Sequence, residues 1–186
     1  MRIILVLFLS VYLSGCASFN NQSADMGVNG WTVVGEKIWS TANGVTQSSA
    51  QPGKSYLVSN KQYSNFTLTL EFMPDSEVNS GVFVNCETNI KIGSKNCFEA
   101  NISDNHKKPE FRTGSIVRHA VPSSKVNTIG KWNTMVFTVS GGKATVKING
   151  VETAQASSQK HPKGYVALQR FKTGVIKFRN IKIVSL

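Results

Sequence analysis

Acidic residues are scarce in this chain: 10 Asp and Glu stand against 21 Lys and Arg in 186 residues, a formal charge of +11. Only 17% of residues are charged, so the excess comes from missing acids and not from polybasic runs. Proline numbers 5 beside 15 Gly, which is neither a fibrous nor a disordered composition. The 3 cysteines have no second close pair and no neighbouring histidine, so a zinc ribbon, an iron–sulfur site and a disulfide-dense miniature scaffold are excluded. A run of roughly 20 apolar residues, the length a membrane-crossing helix needs, occurs nowhere. With 40% hydrophobic residues, what remains is the composition of an ordinary globular domain.

The chain begins with an address. Arg2 supplies a positive start, residues 3–13 an apolar segment, and Leu13-Ser14-Gly15-Cys16 ends it in small residues before a cysteine. This resembles a bacterial lipobox, which implies cleavage before Cys16, a lipid thioether on its sulfur and acylation of the new amino group. Such chains anchor firmly, because each buried methylene contributes about 0.8 kcal/mol. Residues 1–15 are therefore expected to be a lipoprotein signal peptide, 16–30 the lipidated cysteine and a flexible tether, and 31–186 a single domain. Ala17 in place of Asp implies, by the same resemblance, an outer-membrane lipoprotein facing the periplasm or the surface. The competing reading is an ordinary cleaved signal with a chance cysteine. Export makes Cys86 and Cys97 the candidates for a disulfide. It would close a loop of about twelve residues and add roughly 2–3 kcal/mol in the chain-entropy model; the rival reading is a reactive thiol.

From Trp31 onward, short alternating apolar runs are separated by Gly, Asn, Ser and Pro, and helical periodicity is absent. Residues 66–72 alternate strictly, with Phe66, Leu68, Leu70 and Phe72 on one face and Thr67, Thr69 and Glu71 on the other. Residues 143–148 alternate as well, and Asn149-Gly150 signals a two-residue hairpin. Ile176 and Phe178 keep one phase while Ile181 and Ile183 keep the other, which predicts a bulge near Arg179-Asn180. With runs near 31, 38, 55, 81, 97, 116, 132 and 164, the count reaches about eleven or twelve strands, which suits an all-β, two-sheet antiparallel sandwich of jelly-roll type. Charge is uneven along the chain. Residues 16–110 carry 7 basic and 9 acidic side chains, and residues 111–186 carry 13 basic and 1 acidic. Folding decides whether that becomes a positive face. No nucleic-acid partner is expected, since the N-terminal segment reads as an export signal and the chain lacks the aromatic and basic interleaving of a stacking groove.

Several segments match one pattern in order: Asn79-Ser80-Gly81-Val82-Phe83, Phe98-Glu99-Ala100-Asn101-Ile102-Ser103-Asp104, Ile148-Asn149-Gly150, Ala167-Leu168-Gln169 and Phe178-Arg179-Asn180-Ile181. On these the chain resembles the 3-keto-disaccharide hydrolase family over about residues 31–186. The resemblance implies a concanavalin A-like or laminin G-like sandwich that cleaves glycosides already oxidised at C3. A C3 ketone acidifies the hydrogen on C2, so one base, one enolate stabiliser and an acid near the leaving oxygen suffice. Paired carboxylates across an oxocarbenium ion are not required, and neither a metal nor a cofactor is expected.

Strand parity sorts the candidates. With Phe98, Ala100 and Ile102 inward, Glu99 and Asn101 face outward, as Glu71 does from its own strand, and the three are expected to share a polar patch. Glu99 and Asp104 match the family strand, and Asn101 replaces a glutamine. The catalytic candidates are Glu99, Asp104 and His119; the competing reading has Glu99 merely pairing with Arg112 or Arg118, and His119 a surface histidine. Candidates for contact with sugar are Glu71, Asn79, Phe83, Asn101, Arg112, Arg118, Gln169 and Arg170, with Phe83 either a sugar platform or packed under a loop. Parity that buries Cys86 turns Cys97 outward, so the disulfide is expected at a frayed strand end. His106 and His161 are read as solvated. One departure stands out: many family members carry a histidine where this chain has Phe171. The expected function is thus a 3-keto-glycoside hydrolase or lyase. The alternatives are a non-catalytic saccharide-binding envelope lipoprotein, or a structural one whose basic face meets lipid or polymer.

Overall fold

The computed structural model describes residues 22–23, 30–158 and 160–186. The expected signal peptide, Cys16 and almost all of the tether lie outside these residues. Among the described residues the chain folds into thirteen strands: β1 (Gln22–Ser23), β2 (Trp31–Gly35), β3 (Trp39–Ala42), β4 (Val45–Ser48), β5 (Gly53–Tyr63), β6 (Phe66–Pro74), β7 (Asn79–Cys86), β8 (Phe98–Ile102), β9 (Asn133–Ser140), β10 (Lys143–Ile148), β11 (Val151–Ser157), β12 (Gly164–Lys172) and β13 (Ile176–Ser185). One 3₁₀ turn, Pro109–Phe111, interrupts the long connection between β8 and β9. Strand pairing is antiparallel throughout. One sheet runs β11-β10-β9-β6-β13-β4-β3, with β1 paired to β13, and the other runs β2-β5-β12-β7-β8.

The alternation read in residues 66–72 is the alternation observed: Phe66, Leu68, Leu70 and Phe72 are buried between the sheets. Phe137, Val146, Val82, Phe98, Ala100 and Leu168 meet them there from five other strands, and this apolar layer is the main core. The Asn149-Gly150 turn joins β10 to β11 with φ of 51° and 83°, the paired left-handed conformation that a tight hairpin needs and that Asn and Gly tolerate. The bulge in β13 lies where the phase change placed it. Asn180 takes φ 52° and the register against β6 shifts between Arg179 and Lys182, so Ile176, Phe178, Ile181 and Ile183 are all buried.

Two expectations fail for reasons that strand parity alone could not supply. The run near 116 is not a strand; Ile116 makes isolated bridges to Ala100 and Ala120, and the segment leans on β8 through Val117 N–H donating to the Glu99 carbonyl at 2.9 Å. The disulfide, which is present between Cys86 and Cys97, does not need a frayed end. Asn85 adopts φ 52° at an irregularity in the β7–β12 register, and this extra residue rotates Cys86 onto the outer face that Cys97 already occupies. Both cysteines are buried in a second apolar cluster with Tyr56, Val58, Phe83, Ile92 and Ala167, on the far side of the five-stranded sheet.

Candidate functional site

The outer face of the five-stranded sheet carries the candidate site, and pairing register builds it row by row. Phe171 sits opposite Lys54 on one side and Asn79 on the other; Gln169 opposite Tyr56 and Gly81; Ala167 opposite Val58 and Phe83. On the last strand, Asn101 is paired with Gly81, and Glu99 with Phe83. Since side chains alternate, each of these shares one face. Lys54, Tyr56, Asn79, Phe83, Glu99, Asn101, Gln169 and Phe171 line an open cleft of about 260 Å³, closed at the sides by Gly93 and Ser94 from one loop and by His106, Phe111 and Val117 from another.

Glu99 is the chemical centre of this cleft. It is only 9% exposed, and burial pushes its carboxyl from 4.5 up to about 7, against the opposing pull of the Ser94 hydroxyl, Lys54 and Arg118. A Cβ at position 81 would sit 3.3 Å from its Oε1, so the bare backbone of Gly81 is what leaves the carboxylate room. The floor beside it is rigid. Tyr56 meets Phe83 edge-on at 5.7 Å, Gln169 donates from Nε2 to the Tyr56 hydroxyl at 3.2 Å, and that hydroxyl donates to the Ile92 carbonyl at 3.1 Å. The Lys54 ammonium lies 5.3 Å from the Tyr56 ring and 6.0 Å from the Phe171 ring.

Two loops complete the walls. The disulfide pins residues 87–96 at both ends, and Arg118 reaches across to donate from Nε to the Ser94 hydroxyl at 3.1 Å. The other loop is tied down by Asn101, whose amide donates from Nδ2 to the Phe111 carbonyl, and by Asp104. The Asp104 carboxylate accepts from the Thr113 hydroxyl, the Thr128 hydroxyl and the Thr128 N–H. Asp104 therefore spans the 103–132 connection and lies outside the Glu99 cleft, in the walls of two other hollows.

The sequence candidates thus separate. Glu99, Asn79, Phe83, Asn101 and Gln169 come together, though Phe83 is fully buried and acts as floor, with the packing role that was its alternative reading. Glu71 does not join them. It lies on the eight-stranded sheet, where Arg179 donates from Nε at 2.8 Å and Asn180 from Nδ2 at 2.7 Å, because β6 belongs to the opposite layer. Arg170 points the other way from Gln169 and Phe171, into the sandwich. It is 0% exposed, with Nη1 donating to the Lys172 and Gly53 carbonyls and no partner for Nε or Nη2. Arg112 turns from the cleft and donates from Nε to the His106 carbonyl at 3.0 Å. Arg118 and His119 line an adjoining cleft. His161, expected in solvent, is buried 3.2 Å from a Glu87 oxygen and edge-on to Phe98.

Residues missed by parity are those brought by other elements. Lys54 and Tyr56 carry the outward phase of β5, which the row of apolar residues in that strand obscured. His106 comes from a turn; its Nδ1 lies 3.2 Å from the Lys108 N–H and its ring 5.0 Å from Phe111. No local pattern signals such a residue.

Comparison with known proteins shows the family and the fold. A family model described as the 3-keto-alpha-glucoside-1,2-lyase-like domain matches residues 17–184. A candidate glycosyl hydrolase of known structure from Parabacteroides distasonis is similar at 27% identity and TM-score 0.71, over 85% of this chain and 100% of its own. The carbohydrate-binding module CBM66 from Bacillus subtilis shares the fold at 17% identity and TM-score 0.66, over 84% of this chain and 96% of its own. The VIP36 exoplasmic/lumenal domain, solved with calcium and Man3GlcNAc bound, does so at 7% identity and TM-score 0.64, over 88% and 86%. No curated protein matches the chain.

Proposed function

The chain belongs to the 3-keto-alpha-glucoside-1,2-lyase-like family, and from that premise we propose that it cleaves glycosides oxidised at C3, with Glu99 as the base. Glu99 removes the proton from C2, and the electron pair of that bond enters the C2–C3 enolate. The enolate then expels the C1 substituent with its oxygen, leaving a C1–C2 double bond to which water adds. The observation that carries this reading is a carboxylate held nearly out of water in a cleft, with its pKa about 7, where proton abstraction near neutrality is most effective. Lys54 is the cation placed to stabilise the enolate, and His106 is the imidazole on the cleft wall that protonates the leaving oxygen.

The fold shared with a carbohydrate-binding module, and Phe171 on the cleft floor in place of a proton-transferring residue, favour a second reading in which the cleft holds sugar without cleaving it. Turnover of a chromogenic 3-keto-glucoside, beside its unoxidised form, separates the two. Release is expected from the keto sugar alone, reduced by about 10²–10⁴-fold in Glu99→Gln. Absence of release together with saturable sugar binding establishes the second reading. The proposed setting is a bacterial envelope, with the chain lipid-anchored through Cys16; labelling by radioactive palmitate, lost in Cys16→Ser, is the expected result.

A further inference from the structure

The Glu99 cleft has a far end of different character. Its rows run along the strands from Glu99 and Phe83, through Gln169 and Tyr56, to Phe171, Lys54 and Asn79, and successive rows on one face of a sheet stand about 7 Å apart. At the Phe171 row, two lysines converge on one aromatic ring. The Lys54 ammonium lies 6.0 Å from the ring centre of Phe171, its register partner, and the Lys172 ammonium 5.6 Å from it. Lys54 also stands 5.3 Å from the Tyr56 ring, so it reaches the middle row as well.

Lys172 arrives there against strand parity. Alternation would send the residue after Phe171 into the sandwich, as it sends Arg170. Lys172 instead takes φ 69° and is exposed, and this left-handed turn at the end of β12 brings its side chain back to the Phe171 ring. Such a conformation costs a non-glycine residue free energy and recurs at functional sites. A third cation lies beneath the same strand ends, where buried Arg170 donates from Nη1 to the Lys172 and Gly53 carbonyls. No acid offsets the three. Among the described residues the ion pairs are Arg179 with Glu71 and His161 with Glu87; Glu36, whose side chain packs against Gly53, pairs with neither lysine. Contact with an aromatic face orients an ammonium group without neutralising it. The geometry of a pyranose connects this charge with Glu99. C5 stands across the ring from C2, so a sugar whose C2 faces Glu99 carries its C5 substituent on the opposite side, and one continuous cleft leads from Glu99 to the Phe171 row.

We propose that the Phe171 end of the cleft is a subsite for an anionic group on C6 of the sugar, held by Lys54 and Lys172. The protein then prefers glycosides that carry a carboxylate or a phosphate ester at that carbon to neutral ones. The proposal rests on the reading of the Glu99 cleft as a saccharide site, and it is independent of whether Glu99 acts as a base. Two ammonium groups on flexible stems act as point charges, so they accept either anion.

The test is calorimetric titration of the purified full-length protein with methyl glucoside, methyl glucuronide and methyl glucoside 6-phosphate, all unoxidised at C3. At low salt, at least one of the anionic sugars is expected to bind about fivefold or more tightly than methyl glucoside, and the ratio is expected to shrink as ionic strength rises. Which of the two is held more tightly tells carboxylate from phosphate. Lys172→Asn removes the charge with a side chain that tolerates the left-handed backbone, and it is expected to cut the ratio by about half or more. Its own methyl glucoside affinity serves as the reference for folding, and Lys172→Arg is expected to keep the ratio. If the C3-oxidised forms of these sugars are left uncleaved while the binding ratios behave as stated, the catalytic reading of Glu99 falls and the subsite stands. Anionic and neutral sugars bound alike, no binding of either anionic sugar, or a ratio that survives Lys172→Asn or high salt, overturns the subsite.

Discussion

At the residue scale, the buried carboxyl of Glu99 has a consequence for stability as well as for the proposed chemistry. Below pH 4.5 its carboxyl is protonated in folded and unfolded chains alike; between 4.5 and about 7 the unfolded chain ionises while the folded one keeps its proton. The folded state thus binds more protons across that window, and stability declines as pH rises through it, by at most about 3 kcal/mol. Denaturant titrations at pH 5 and pH 7 are expected to show this loss in the wild type and a smaller one in Glu99→Gln. Under the proposed role of Glu99 as base, cleavage of a 3-keto-glucoside is expected to follow the opposite direction, rising with pH toward 7 in a pH–rate profile. Asp104 shows why residue type alone misleads. It stands five residues from Glu99 in a strand-like run, yet its three hydrogen bonds to Thr113 and Thr128 make it a tie across the β8–β9 connection, and only the path of that connection could reveal this.

At the scale of elements, the site depends on two loops that differ in how they are held. The 87–96 loop is closed by the Cys86–Cys97 bond and carries Gly93 and Ser94 into the cleft. Replacing both cysteines by serine is expected to cost roughly 2–3 kcal/mol by the chain-entropy account, measured by thermal or denaturant unfolding. Sugar binding is expected to weaken by more than that stability loss explains, because Ser94 is released along with the loop. The β13 bulge and the Asn149-Gly150 hairpin were legible because each follows from local phase or turn chemistry. The Asn85 bulge was not: its cue is a left-handed Asn in a run, residues 82–86, that also reads as a plain strand, and only pairing with β12 decides the matter.

For the whole molecule, stability rests chiefly on the apolar layer between the two sheets, and the candidate site lies on the far side of one of them. Phe137 lies fully buried in that layer, so Phe137→Ala is expected to cost about 3–5 kcal/mol, with one cooperative transition monitored by circular dichroism. The basic C-terminal half does not form one face, since β9, β10, β11 and β13 enter the eight-stranded sheet while β12 crosses to the other. Sequence by itself determined the all-β sandwich, the core phase of β6, β8, β10 and β13, the outward set of Glu99 and Asn101, and the family, because alternation and turn chemistry act over a few residues. The tertiary structure alone decided which outward residues meet. Glu71 and Glu99 share a phase but lie on opposite sheets, Arg170 faces inward between two residues of the site, and Lys54, Tyr56, His106 and Phe111 arrive from strands and turns far apart in the chain. Parity says on which face a side chain lies; only strand order and loop path say which other side chains share it.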